Sequence, residues 1–182
     1  MSTRTAPMLS HMGIYVREVE PMVRFYSALF DMKVTDRGRG RKFKNDLVFM
    51  SAHPNHHHQL VISSGRPPEA TFSTVMQMSF KAQAIDDLRR ISGAAPALGA
   101  TEFFTTNHGN ALALYFSDPE GNTIEVYVDT PFYVSQPHGN PLDLSKSDAA
   151  ILAETEVSCR ADPSFMTVEQ WRRNFESGRP GA

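Results

Sequence analysis

The chain has 182 residues, 41% hydrophobic and 21% charged, with a formal charge of −2; this fits one compact soluble unit and excludes a disordered chain. Without a basic surplus to displace phosphate counterions, neither nucleic acid nor an anionic membrane is an expected partner. Cys159 is the single cysteine, which rules out an intrachain disulfide or a cysteine-rich zinc site, and the opening MSTRTAPMLS lacks the apolar stretch of a secretory signal, so a cytoplasmic location is expected.

Residues 12–16, Met-Gly-Ile-Tyr-Val, are β-rich and run into the punctuation Glu18-Val19-Glu20-Pro21, which predicts a strand feeding a helix. Over residues 22–30, Met22, Phe25, Tyr26, Leu29 and Phe30 recur at three- and four-residue steps, the spacing of one helix face. Strands are predicted next at 33–37, 47–51 and 59–63, separated by a Gly- and Arg-rich stretch at 38–41 and a His-Pro-Asn segment at 53–55. The second half repeats this order. A strand at 75–82 precedes a helix at 85–98, which Gly93 and Pro96 interrupt, and strands follow at 101–105, 111–116 and 123–128. An Asp-Pro-Glu-Gly-Asn turn at 118–122 joins the last two. Beyond Asp129 a proline-rich segment leads to a short helix near 148–156 and a last one near 167–176, where Thr167 and Gln170 have capping-box spacing. Phe132, Tyr133, Phe165 and Trp171 are too apolar for this tail to stay in water, so a wrap or lid is expected.

Two βαβββ modules, 9–65 and 72–129, thus form an internal repeat, with 130–182 as a C-terminal wrap. The expected fold class is α+β, with both modules contributing to one curved mixed sheet. Matching the copies sets His11 opposite Gln77, because each opens the strand before its helix, and counting back from the module ends sets His58 opposite Glu125. Alternate strand residues share a face, so these four side chains are expected to converge on one cavity. A Glu between Ile124 and Val126 is costly to bury unless it is paired or bound to a cation. Imidazole with carboxylate suits Fe(II), Mn(II) or Zn(II). Met12, Met78, Phe104, Leu114 and Phe132 offer an apolar lining for an aromatic ligand, or are ordinary core. His53, His56 and His138 read as solvated loop residues, His57 alternates away from His58, and the basic run at 37–42 lacks phosphate-loop spacing and reads as a solvated hairpin.

The double βαβββ order, His11, the His57-His58-Gln59-Leu60 segment, the His108-Gly109 loop, and the block from Tyr115 through Asp118-Pro119-Glu120-Gly121-Asn122 to Glu125 together resemble the vicinal oxygen chelate superfamily. Within it the pattern is most similar to single-domain type I extradiol catechol dioxygenases, over about residues 9–144. The resemblance implies an Fe(II)-dependent enzyme of aromatic-compound breakdown, with a catechol and dioxygen as substrates and Mn(II) or Zn(II) as alternative metals. It implies His11 and Glu125 as metal ligands, His58 as a histidine that shuttles protons beside the oxygen site, and His108 and Tyr115 as hydrogen-bonding partners of the bound substrate. Gln77 departs from the pattern, which has a third histidine ligand there. An amide oxygen is a weaker donor than imidazole, and three outcomes stay open: Gln77 ligates, His58 enters the ligand set, or the metal site is vestigial. A glyoxalase-type metal-dependent lyase or isomerase and a non-catalytic binder of aromatic compounds are the alternative functions. An exposed sheet edge predicts a homodimer or larger assembly.

Overall fold

The computed structural model describes residues 7–179. In the first unit, residues 1–74, β1 (Met12–Val16) lies parallel to β4 (Leu60–Ser64), and β3 (Asp46–Ser51) joins β4 to the edge strand β2 (Lys33–Arg39), giving the order β1-β4-β3-β2. Helix α1 (Val19–Phe30) turns Met22, Val23, Phe25, Tyr26 and Leu29 into the core, and Val16, Val48, Met50 and Ile62 of the strands are buried as well. It begins three residues before the predicted start because Pro21 falls in the first turn, where a missing N–H costs no intrahelical bond. β2 is exposed along its whole length, and the predicted basic hairpin is solvated as expected.

In the second unit, residues 75–182, β5 (Met78–Lys81), β6 (Thr101–Asn107), β7 (Ala111–Ser117) and β8 (Thr123–Asp129) are joined by β10 (Asn140–Pro141), following β9 (Phe132–Tyr133) in the chain, in the order β10-β6-β7-β8-β5. One face of β7 and β8, made of Leu112, Leu114, Phe116, Ile124, Val126 and Val128, is buried with Ile85, Leu88 and Ile91 of α2 (Ile85–Ala94). The predicted helix at 85–98 stops at Ala94 and tightens into a 3₁₀ turn over Ala95–Leu98, where Pro96 lies. The strand predicted at 75–82 shortens to β5, leaving Gln77 one residue ahead of it. The strands of the two modules therefore pair into two sheets, with a third of two strands in the C-terminal segment, in place of the one continuous sheet expected from the repeat.

The C-terminal segment belongs to the second unit. Helix α3 (Asp148–Arg160), capped by Ser147, runs four residues past its predicted end because Cys159 continues its buried stripe of Ile151 and Thr155. β9 pairs with β11 (Met166–Thr167), and α4 (Val168–Glu176) starts at the predicted capping box of Thr167 and Gln170. Trp171 stacks on Tyr133 with ring centroids 5.8 Å apart. Arg89 of α2 bonds the carbonyls of Leu144 and Lys146 and pairs with Asp148, tying the segment to the module. No helix among the described residues is long and apolar enough to cross a membrane.

Candidate active site

The polar face of the second unit's sheet is organised by strand register. Tyr115 of β7 lies opposite Glu125 of β8, Ser79 of β5 lies opposite Glu125 on its other side, and Phe104 of β6 lies opposite Tyr115. Residues in register on neighbouring strands point to the same face, so Phe104, Tyr115, Glu125 and Ser79 form one row across four strands. Phe104 stacks flat on Tyr115, with centroids 4.7 Å apart and planes 6° from parallel. The other expected lining residues split by alternation: Leu114 and Met78 fall on the opposite face, in the core, and Phe132 packs with Val134, Cys159 and Phe165.

Glu125 is 8% exposed. A carboxylate so placed is tolerated only with donors around it, and it has three. Tyr115 donates to Oε1 at 2.6 Å, while Gln77 Nε2, at 2.7 Å, and the Ser79 hydroxyl donate to Oε2. Burial first, and the adjoining carboxylate second, push the Tyr115 hydroxyl well above the usual tyrosine range, so it stays protonated.

His108 continues the chain of bonds. A backbone carbonyl only accepts, so His108 Nδ1 donates to the oxygen of His138 at 2.7 Å, leaving Nε2 against the Tyr115 hydroxyl at 2.9 Å. The single Tyr115 proton serves either Glu125 or His108. Both bonds are made only when one more proton sits on His108 Nε2 or on Glu125, and the hydroxyl can pass that proton between them. The loop carrying His108 turns on Gly109, at φ +74°, where a Cβ would lie 2.5 Å from Val134 and 3.1 Å from the Cys159 sulfur. Asn107 braces it, accepting from the Gly109 N–H at 2.9 Å and donating to Thr155 of α3 at 2.7 Å. A cavity of about 270 Å³ opens against this network, lined by His108, Asn110, Ala111, Tyr115, Glu125, Tyr127 and Gln136.

The sequence reading misses Ser79, Asn110 and Gln136. Ser79 is recoverable by stepping two residues along the strand from Gln77. Gln136, whose amide donates to the carbonyl of His108 at 2.8 Å, carries no signal in a proline-rich tail. His138 is not a solvated loop residue, since its side chain is 16% exposed and its carbonyl orients His108.

In the first unit, His11 and His58 lie with ring centroids 4.2 Å apart. Each has one nitrogen engaged, His11 Nδ1 with the Ser10 hydroxyl at 3.0 Å and His58 Nδ1 with His57 Nδ1 at 2.9 Å, and among the described residues neither Nε2 has a hydrogen-bond partner. Burial first, and the neighbouring imidazoles of His11 and His57 second, hold His58 below the usual imidazole range. His57, expected to face away, is bonded to the ring of His58. The ladders also revise the repeat: with His11 matched to Gln77, the pair Gly13–Val61 corresponds to Ser79–Glu125, so Val61 occupies the position of Glu125 and His58 lies in the loop before β4. Among the described residues no three His, Cys, Asp or Glu side chains are gathered to hold a metal ion. Taken unit by unit, the donor types are ones that a divalent cation accepts: two imidazoles with free Nε2 atoms in the first unit, and the carboxylate of Glu125 beside the amide of Gln77 in the second.

Over 177 residues the chain is 25% identical to biphenyl-2,3-diol 1,2-dioxygenase 2 of Rhodococcus globerulus, covering 91% of this chain and 89% of that one. Its fold is similar to a glyoxylase/bleomycin resistance protein/dioxygenase domain from Frankia sp. EAN1pec, with a TM-score of 0.58 and 20% identity over 69% of this chain and all of that one. It is also similar to the fosfomycin resistance protein FosX of Listeria monocytogenes complexed with Mn(II) and sulfate, with a TM-score of 0.54 and 17% identity over 69% of this chain and 95% of that one. The family model that matches residues 8–126 runs from before β1 to Val126 in β8, and on that match the chain belongs to the glyoxalase/bleomycin resistance protein/dioxygenase superfamily.

Proposed function

We propose that the protein is an extradiol ring-cleaving dioxygenase acting on a catechol-type aromatic, with Fe(II) as its metal and Glu125 and Gln77 as donors to it. The reading rests chiefly on the bonded series His108–Tyr115–Glu125 beside a cavity with aromatic walls, a proton-handling row that a phenolic substrate needs. The dioxygenase from Rhodococcus, similar over nine-tenths of this chain, supports it. When bound, the metal supplies Lewis-acid and redox chemistry toward catechol and dioxygen.

The chain's own groups do the rest. Tyr115, protonated throughout the physiological range, has one proton to offer, so donating it to a substrate oxygen replaces its bond to Glu125, and its link to His108 is the route by which a proton returns. His108 is held in place by the His138 carbonyl, so its Nε2 stays aimed at the Tyr115 oxygen. His58, with a bare Nε2 and a depressed affinity for protons, is the base that takes a phenolic proton. Phe104 and Tyr127 offer flat apolar surface to a ring and shed water from it. The amide of Gln77, standing where the dioxygenase pattern has imidazole, favours a glyoxalase-type lyase or isomerase as the second reading.

The test is anaerobic purification, measurement of metal content, loading with Fe(II), and a catechol panel followed by oxygen uptake and by the visible absorbance of the ring-opened product. Oxygen consumed one-to-one with product supports the dioxygenase; turnover of methylglyoxal with a thiol, and of no catechol, replaces it with the second reading. Glu125→Ala abolishes metal retention. Metal loss in Gln77→Ala with retention in His58→Ala assigns the amide as ligand, and the reverse pattern removes it from the ligand set.

A further inference from the structure

His57 is the residue that the function leaves over. It lies in an exposed loop and alternates away from His58 in sequence, yet its ring is bonded at both nitrogens. Nε2 lies 2.8 Å from Asp36 Oδ2, and Nδ1 lies 2.9 Å from His58 Nδ1. Three features of the first unit build this contact. β2 carries a bulge between Val34 and Asp36, so that Asp36, rather than Thr35, comes into register with Phe49 of β3; bulges re-aim a side chain in this way. The Phe49 ring then braces both imidazoles, at 6.2 Å from His57 and, edge to face, at 5.1 Å from His58. The Thr35 hydroxyl donates to the carbonyl of Phe49 and pins the bulge.

The polarity of the series follows from counting donors. An ionised carboxylate only accepts, so His57 Nε2 carries the proton shared with Asp36. With His57 neutral, its Nδ1 is then a bare lone pair and accepts, so the proton between the two rings belongs to His58 Nδ1. The tautomer of an imidazole is set by the bond that its other nitrogen makes, and His58 Nε2 is left bare.

We propose that Asp36 and His57 are positioning residues that lock the orientation and the Nδ1–H tautomer of His58, so that its Nε2 is presented as a lone pair. The use made of that lone pair rests on the dioxygenase reading, whereas the tautomer does not. The bulge and the bracing ring give the relay a built geometry, although the side chains of His57 and Asp36 are 60% and 63% exposed.

The experiment is long-range proton–nitrogen NMR of the histidine rings in the full-length chain, purified without added metal, with His58 assigned by substitution. The expected result is a protonated Nδ1 and a bare Nε2 for His58. His57→Ala and Asp36→Ala lose that pattern and show the Nε2–H form, while Asp36→Asn, whose amide oxygen still accepts from His57, keeps it. The exposed positions of both residues leave the fold intact, read from the rest of the amide spectrum. A native His58 protonated on Nε2, or a pattern unchanged in both alanine variants, overturns the proposal. In catechol turnover, both alanine variants lower kcat by about 10-fold with KM unchanged, the size expected for an orienting partner; an unchanged kcat overturns the contribution to catalysis. Absence of turnover on every catechol counts against the dioxygenase and leaves the NMR result to decide the relay.

Discussion

Replacing Tyr115 by Phe removes one oxygen atom and tests whether the site is the hydrogen-bonded row described above. The phenyl ring of the variant still stacks on Phe104, whose plane lies 6° from that of Tyr115, so the loss isolates the hydroxyl. That hydroxyl is the donor to Glu125 Oε1 at 2.6 Å and the partner of His108 Nε2 at 2.9 Å. Glu125 Oε2 keeps Gln77 and Ser79, but Oε1 is left without its donor on a side chain only 8% exposed. Hydrogen bonds to charged groups contribute about 1.5–3 kcal/mol, and a stranded buried acceptor costs about 1–3 kcal/mol. The expected destabilisation is therefore about 2–3 kcal/mol. The assay is urea unfolding followed by the fluorescence of Trp171, the only tryptophan, which lies in the same unit as Tyr115. A lower midpoint at unchanged m reports the loss. A change below about 0.5 kcal/mol, the range of surface substitutions, refutes the claim that Glu125 depends on this donor.

Alkaline pH offers a second check on the same hydroxyl. Its folded-state affinity for the proton is raised above the unfolded value near 10, so its stabilising contribution is complete below that pH. Above it the unfolded chain ionises first and stability falls; urea midpoints measured through this window should fall more steeply in the native protein than in Tyr115→Phe. Gly109→Ala and Gly121→Ala form a matched pair, since both glycines have positive φ, +74° and +80°, but only at Gly109 would a Cβ meet neighbours. Gly121→Ala should cost about 1 kcal/mol, the left-handed penalty alone, and Gly109→Ala about 2–4 kcal/mol once overpacking is added; equal thermal shifts would show that the His108 loop is not packed as described. Thr155→Val keeps the shape of α3 but takes the hydroxyl partner from Asn107, and should cost about 1–2 kcal/mol in urea unfolding, with any smaller effect separating α3 from the site.

The elements of the repeat are legible in sequence because their cause is local. The three-four step of α1 expresses which face is buried and survives in the folded chain, whereas β7 and β8 are apolar runs buried along most of their length, on both faces. Where the reading slips, a longer-range term is responsible. Pro21 reads as punctuation ahead of α1 although a helix tolerates it in the first turn, and α3 runs on because Cys159 finds a buried place beside Phe132 and Val134, which no local pattern announces.

The site is legible to the same depth. Glu125 and Tyr115 stand out because a carboxylate and a phenol punctuate apolar strands, and register then makes them neighbours. His58 and His57 show the limit. Strand alternation sends their side chains to opposite faces, but both precede β4, in a loop where no alternation holds, and the bulge in β2 shifts Asp36 into reach of the ring expected to face away. Pairings through a loop and a bulge depend on where the chain is irregular, and periodicity carries no information at those points. The dyad of His108 and the His138 carbonyl fails for a related reason, since a backbone oxygen has no residue type to recognise. Side chains that act from regular strands can thus be found by counting, whereas the groups that orient them lie in loops and on the backbone, so substitutions chosen from sequence motifs alone would leave the relay of Asp36 and His57 untested.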